Sequence, residues 1–279
     1  MPTTTLTPLK QYVGVEITGY SGSDLVSQAA ADECREALDR HGVVVYPQLD
    51  ISDADLVGFS RLLGTVVANP TAEHELPEIA TITLDPSKTR ATLAWYRQGN
   101  FLWHIDGATE VLPQKATLLT ARVVDPAGGD TEFATTYAAY EALPAETKER
   151  ISDLKVHHSF AAAQGRTHPD ATPEQQAAWE NVPARVHPLV WKRLDGRRSL
   201  LLGATADTII GLSADEGRAL LEELLDHASQ PRFTVRHHWQ PGDLVVWDNT
   251  GMLHRALPFE PTSPRLMHRT TLVGEEEVA

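Results

Sequence analysis

Gly242-Asp243-Leu244-Val245-Val246-Trp247-Asp248-Asn249-Thr250-Gly251-Met252-Leu253-His254-Arg255-Ala256 is the stretch on which the reading of this chain turns. Positions 243–247 form a short β-type run, apolar from Leu244 to Trp247. The strand delivers its end into a turn, and His254 comes just after it. Eleven positions further on is Arg265, far enough for a turn and a returning strand to set a guanidinium near the same cavity.

Outward from this segment the same pattern recurs. Short β-type runs over 116–124, 131–134, 154–160, 186–194, 198–203, 232–239 and 266–273 are punctuated by Gly and Pro. Helical inserts are few: one near 137–152, one opening at Thr172-Pro173-Glu174-Gln175 and one at Ser213-Ala214-Asp215-Glu216, the last two of capping-box form. The first third is mixed, with strands at Val13–Ile17, Val43–Tyr46 and Ile79–Leu84 and helices from about Leu25 to His41 and Asp53 to Leu63, stopped by Gly42 and Gly64. The fold class expected is mainly β with flanking helices, built on a double-stranded β-helix of jelly-roll, cupin-like form. At 279 residues such a core fills one domain, 1–279. Glu275-Glu276-Glu277 reads as a frayed acidic tail.

The net charge of -14 argues against nucleic acid as a partner, because phosphate binding needs clustered Lys and Arg. No apolar run approaches the roughly 20 residues of a membrane span, so no membrane is expected. The single cysteine, Cys34, shares a helix face with Ala30, Ala37 and Leu38 and belongs to the core. With no disulfide to form and no signal peptide, the chain is placed in the reducing cytoplasm. A small-molecule substrate is the partner expected, and a homo-oligomer is compatible with everything read so far.

His-x-Asp occurs twice, about what chance allows. His168/Asp170 lies between prolines in an irregular loop. His104/Asp106 follows an aromatic stretch and precedes a strand, and in an extended segment residues i and i+2 point to one side, which suits two ligands of one ion. With His254 they form two imidazoles and a carboxylate, the set that leaves open positions on non-haem Fe(II). The residues alone leave two alternatives open: a Zn(II) hydrolase with the same ligands, or a non-catalytic cupin-like metal- or ligand-binding protein. The aromatics Trp95, Tyr96, Phe101 and Trp103 lead into the motif from a loop-like stretch and are candidates for pocket lining. His237 and His238 alternate to opposite faces of a strand and are read, like His157 and His158, as partly buried structural histidines.

From Gly14-Val15-Glu16-Ile17-Thr18-Gly19 through Trp103-His104-Ile105-Asp106 and Gly128-Gly129-Asp130-Thr131 to Trp247-Asp248-Asn249 and Arg265-Leu266-Met267-His268-Arg269, the chain resembles the taurine dioxygenase/TfdA-like family of Fe(II)- and 2-oxoglutarate-dependent oxygenases. The resemblance covers most of the chain. It implies His104, Asp106 and His254 as iron ligands, and Fe(II) with 2-oxoglutarate and O2 as co-substrates. Thr131 and Arg265 become contacts of 2-oxoglutarate, with Arg265 on its distal carboxylate. Arg269 occupies the position that holds an anionic group of the substrate, and Asn100 matches a pocket residue. Asn69 stands where the taurine enzymes carry a histidine, Gly107 where they carry a bulky apolar residue, and Phe133 where they carry Trp. The activity implied is hydroxylation of a small to medium anionic organic molecule (sulfonate, sulfate ester or carboxylate) larger than taurine. It is coupled to decarboxylation of 2-oxoglutarate to succinate and CO2.

Overall fold

The computed structural model describes residues 3–69 and 74–278. Strands β1 (Thr5–Pro8) and β2 (Val15–Thr18) lead into helix α1 (Gln28–His41), strand β3 (Val43–Tyr46), helix α2 (Asp53–Leu63), strand β4 (Ala80–Ile82) and helix α3 (Ala91–Tyr96). A 3-10 turn, Arg97–Phe101, follows, then strands β5 (Ala116–Val123) and β6 (Thr131–Thr135) and helices α4 (Thr136–Glu141) and α5 (Ala145–Ile151). Strand β7 (Lys155–His158), helices α6 (Phe160–Thr167) and α7 (Pro173–Glu180), and strands β8 (Arg185–Pro188), β9 (Val190–Lys192), β10 (Arg198–Leu200) and β11 (Ala206–Ile209) make up the middle. Helix α8 (Ala214–Ala228) precedes β12 (Thr234–His237), β13 (Leu244–Asp248), β14 (Met252–Ala256) and β15 (Leu266–Thr271).

Seven strands form one mixed sheet in the order β1-β2-β3-β13-β5-β15-β4, and β12-β6-β14 form a second. The apolar run at 244–247 becomes β13, the middle strand of the large sheet, paired on both sides by β3 and β5. Its alternate residues go to two different cores. Leu244 and Val246, with Val44, Tyr46 and Leu118, meet α1 and α2 on the outer face. Val245 and Trp247, with Val43, Val45 and Leu119, meet Phe133 and Val235 of the small sheet, and Trp239 just beyond it, on the inner face. That is why the run is continuous rather than alternating: each side chain is buried, at about 1.5–3 kcal/mol apiece. Helix α1 starts at Ser27, whose side chain accepts from Ala30 N, and buries Cys34 with Ala30, Ala37 and Leu38. It ends at Gly42, whose left-handed φ of 68° suits glycine.

Several details differ from the sequence reading. The strand read over 154–160 stops at His158, because Ser159 caps α6 by accepting from Ala162 N. The loop-like aromatic stretch before His104 is α3 and the 3-10 turn. The helix near 137–152 is two helices broken at Leu143-Pro144. The acidic tail is tied down, Glu275 to Lys115 and Glu276 to Arg193. Among the described residues, no helix is long and apolar enough to cross a membrane.

Candidate metal centre and its cavity

His254 lies inside β14 and is paired to Phe133 of β6. His104 forms an isolated antiparallel bridge with it, each backbone N–H donating to the other's carbonyl, at 3.0 and 2.9 Å. This bridge clamps the His104-Ile105-Asp106 segment to the edge of the small sheet and brings the two imidazole centroids within 4.1 Å, the rings tilted by 48°. His104, Asp106 and His254 each offer a ligand atom, all within 4.8 Å of one another. His104 Nε2 is 3.9 Å from Asp106 Oδ1, and His254 Nε2 is 3.8 Å from Asp106 Oδ2.

The donor set is prepared for a cation. His104 Nδ1 donates to the Leu102 carbonyl at 2.8 Å, which leaves the Nε2 lone pair facing Asp106. Burial alone would raise the Asp106 carboxyl, but His254, Arg269 and His104, with a hydrogen bond from Thr117, outweigh it and hold it at about 2. Burial pushes His254 down to about 3, helped by His104, so its imidazole is neutral at pH 7. Asp106 is oriented by a buried chain: Asn249 Nδ2 donates to Thr117 Oγ1 at 2.9 Å, and Thr117 Oγ1 donates to Asp106 Oδ2 at 3.0 Å. Neither Thr117 nor Asn249 was singled out from the sequence; Asn249 sits in a motif that carries the family resemblance, whereas Thr117 gave no signal.

Beside these ligands is a cavity lined by His104, His254, Asn100, Phe101, Thr131, Arg265, Arg269 and Arg97 among others. Arg265 is 3% exposed, and no carboxylate among the described residues comes within ion-pair distance of it. Its Nε donates to the Gly129 carbonyl at 3.2 Å and its guanidinium lies over Phe259 at 4.9 Å. Gly129 has φ 81°, and a Cβ there would sit 2.7 Å from the Arg265 side chain, so the Gly-Gly-Asp-Thr motif makes room for the arginine. Thr131 Oγ1 accepts from Trp239 Nε1 at 2.9 Å, which leaves the threonine hydrogen free to be donated.

Other expectations are corrected here. Arg265 lies just before β15 and Arg269 within it, with a shift of register between Leu266 and Met267. Both arginines nevertheless line one cavity. Phe133 is not a lining residue; it is fully buried behind the site, 5.3 Å from the Trp247 ring and 6.4 Å from the His254 ring. Asn69 lines an adjacent cavity together with Arg269 instead of the metal cavity itself. Of the four aromatics, Phe101 lines the metal cavity. His168 stacks on Trp95 at 3.8 Å, while Asp170 is exposed in the loop beyond. His237 meets Asp243 at 2.9 Å, as a structural histidine does, whereas His238 is largely exposed and touches Asp130.

A second trio, Asp53, His74 and His268, also brings ligand atoms together. His74 Nδ1 accepts from Leu76 N, so its Nε2 carries the proton and donates to Asp53. His268 Nδ1 lies 2.7 Å from the same carboxylate, and Arg122 donates to it at 2.5 Å. With three donors already converging on Asp53, one of them a guanidinium, this is an ion-paired network, not a cation site.

The model of the family described as taurine catabolism dioxygenase TauD, TfdA family, matches residues 5–271. The chain belongs to the TauD/TfdA family. This TauD/TfdA member is 33% identical over 276 residues to an alpha-ketoglutarate-dependent 2,4-dichlorophenoxyacetate dioxygenase of Cupriavidus pinatubonensis, covering 93% of this chain and 95% of the relative. It is 31% identical to an alpha-ketoglutarate-dependent sulfate ester dioxygenase of Pseudomonas putida, over 97% of this chain and 90% of that one. The solved structure of AAD-2 in complex with Mn(II) and N-oxalylglycine matches with a TM-score of 0.83 at 32% identity, over 99% of this chain and 100% of that chain. The TauD/TfdA chain is accordingly an oxidoreductase that depends on 2-oxoglutarate and O2.

Proposed function

We propose that the protein binds Fe(II) through His104, Asp106 and His254 and hydroxylates an anionic organic acid or ester while 2-oxoglutarate is decarboxylated to succinate and CO2. The observation that carries this reading is the buried Arg265, which lines the cavity beside the three ligand residues with no carboxylate among the described residues within ion-pair distance of it. A Zn(II) hydrolase would have no use for such a group. The two sheets that enclose the site are taken as the walls of a double-stranded β-helix, and the buried Cys34 is in keeping with a reducing cytoplasm.

In this reading Fe(II), when bound, supplies the redox chemistry that couples O2 to the two organic substrates. The chain's own residues do the rest. Arg265 pairs bidentately with the distal carboxylate of 2-oxoglutarate, and Thr131 donates its hydroxyl hydrogen to the same group. The Asn249-Thr117 chain keeps the Asp106 carboxylate in one orientation. Arg269 and Asn100 face the primary substrate, whose acid group fits the cationic side of the cavity. Phe101, Trp247 and Phe259 form an apolar lining that excludes water.

The test is succinate formation under Fe(II) and O2 with a panel of aryloxy acids, alkyl sulfates, sulfonates and other carboxylates. Substrate-dependent succinate from at least one anionic member is the expected result. Metal-dependent hydrolysis without O2 consumption would overturn the assignment.

A further inference from the structure

The acidic tail grips the turn from which Asp106 is oriented. After β15 the chain passes Gly274, where a Cβ would collide with the Pro113 carbonyl, so glycine is what lets the tail approach this closely. Glu276 then meets the connection between β9 and β10, its carboxylate accepting from Arg193 Nε at 2.9 Å and from Leu194 N at 2.7 Å. Arg193 Nη1 in turn donates to the Tyr137 hydroxyl at 2.6 Å and to Thr250 Oγ1. Thr250 gives its own hydroxyl hydrogen to Asp248 Oδ1, so in the 2.7 Å contact between Tyr137 and Thr250 the tyrosine donates. Thr250 N also donates to Asp248 Oδ1, at 2.9 Å, and this closes the turn between β13 and β14 around Asn249.

Asn249 is fully buried, and its Nδ2 supports Thr117 and, through it, Asp106. The direction of its side chain is set by the conformation of residues 248–250, and that conformation rests on a buried charge. Burial raises the Asp248 carboxyl, and Arg193 and Arg197 are the cations that oppose the rise. Arg197 is paired with Asp195 and Asp39. Arg193 is the guanidinium bonded to the turn itself, and Glu276 is its ion-pair partner, with the two side chains only 13% and 14% exposed. Glu275 differs: its pair with Lys115 is solvent-exposed, of the kind that contributes little.

We propose that Glu276 is a positioning residue of the metal centre: by fixing Arg193 on the 248–250 turn it holds Asn249 on Thr117 and Thr117 on Asp106. The proposal rests on the metal set assigned above and extends it to the tail. The test is calorimetric titration of Mn(II) into the metal-free full chain. Glu276→Ala is expected to weaken Mn(II) binding about twofold to thirtyfold, the range for residues coupled to a site they do not touch, with the far-UV circular dichroism unchanged. Glu276→Gln, which keeps one acceptor oxygen, should recover part of the affinity, and Glu275→Ala, the same loss of charge from the exposed pair, should bind as wild type does. In a Thr117→Val background Glu276→Ala should cause no further loss, because the chain to Asp106 is already cut. Full additivity of the two losses would mean that the tail acts independently of that chain and would overturn the proposal. An unchanged affinity in Glu276→Ala, or an equal loss in Glu275→Ala, would overturn it too, with the metal assignment intact. If wild type binds no Mn(II), or Asp106→Ala binds it undiminished, the metal assignment falls as well.

Discussion

Replacing Arg265 by Met should have opposite effects on the free protein and on its complex with 2-oxoglutarate. Burial lowers the Arg265 guanidinium from 12.5 to about 10 even though Asp130 and Asp125 pull it upward. A fall of that size corresponds to roughly 3 kcal/mol of unfavourable charge burial in the free protein. Methionine fills similar apolar space beside Phe259 without that cost, so the free variant should melt no lower than wild type, in the manner of buried charges replaced by apolar residues. Binding a dicarboxylate is the reverse case. Truncating one partner of a desolvated charge pair costs about 2–5 kcal/mol, which is roughly a thirtyfold to several-thousandfold rise in Kd. The assay is thermal unfolding with Mn(II) across a 2-oxoglutarate titration: a ligand that binds the native state stabilises it by RT ln(1 + [L]/Kd), so the wild-type shift should vanish in the variant at equal concentration. A variant that keeps the wild-type shift would refute the placement of the co-substrate on Arg265. A free variant destabilised by several kcal/mol would refute the claim that the arginine is costly to bury.

Asp106→Ala should abolish substrate oxidation and Mn(II) binding with the far-UV circular dichroism unchanged, whereas Asp170→Ala, exposed in its loop, should match wild type in turnover. Thr117→Val keeps the shape of the β5 side chain but breaks the Asn249-Thr117-Asp106 chain, and metal affinity by titration calorimetry should fall about 10- to 100-fold; an unchanged affinity would show that the chain does not orient the ligand. His254 and His158 are both held down to about 3 by burial, so the unfolded chain, with ordinary values near 6.5, binds protons that the fold refuses. Their contribution to stability of the metal-free protein is therefore complete above about pH 6.5 and is lost as pH falls toward 3, at about 1.4 kcal/mol per pH unit for each residue. Urea denaturation between pH 7 and 4 should show this slope reduced by about one proton in His158→Asn; a slope identical to wild type would contradict the buried neutral state.

The sequence by itself determined the parts whose chemistry is local. The apolar run at 244–247 reads as a strand, whose two covered faces the sheet then supplies, and the capping boxes at Thr172 and Ser213 start helices from local hydrogen bonds. The spacing in His104-Ile105-Asp106 put two ligands on one side, and the ordered motifs that resemble the TauD/TfdA family indicated His254 and Arg265 before any fold was in hand. What needed the tertiary structure is what arises from groups distant in sequence. Thr117 and Trp239 look like ordinary sheet residues; their hydrogen bonds to Asp106 and Thr131 exist because β5 faces the small sheet and the chain after β12 turns back over β6. Phe133 matched a family position by spacing, yet packing against Trp247 and His254 sends it into the core, since burial of an aromatic ring outweighs any need to line a cavity already closed by Phe101 and Phe259. Arg97 had no motif to mark it, and its place in the lining of the metal cavity is set by a helical turn that the aromatic stretch concealed and by anchoring to Thr83 and Thr89. Local pattern fixes which way a side chain points within its own element; only the packing of elements decides what it meets.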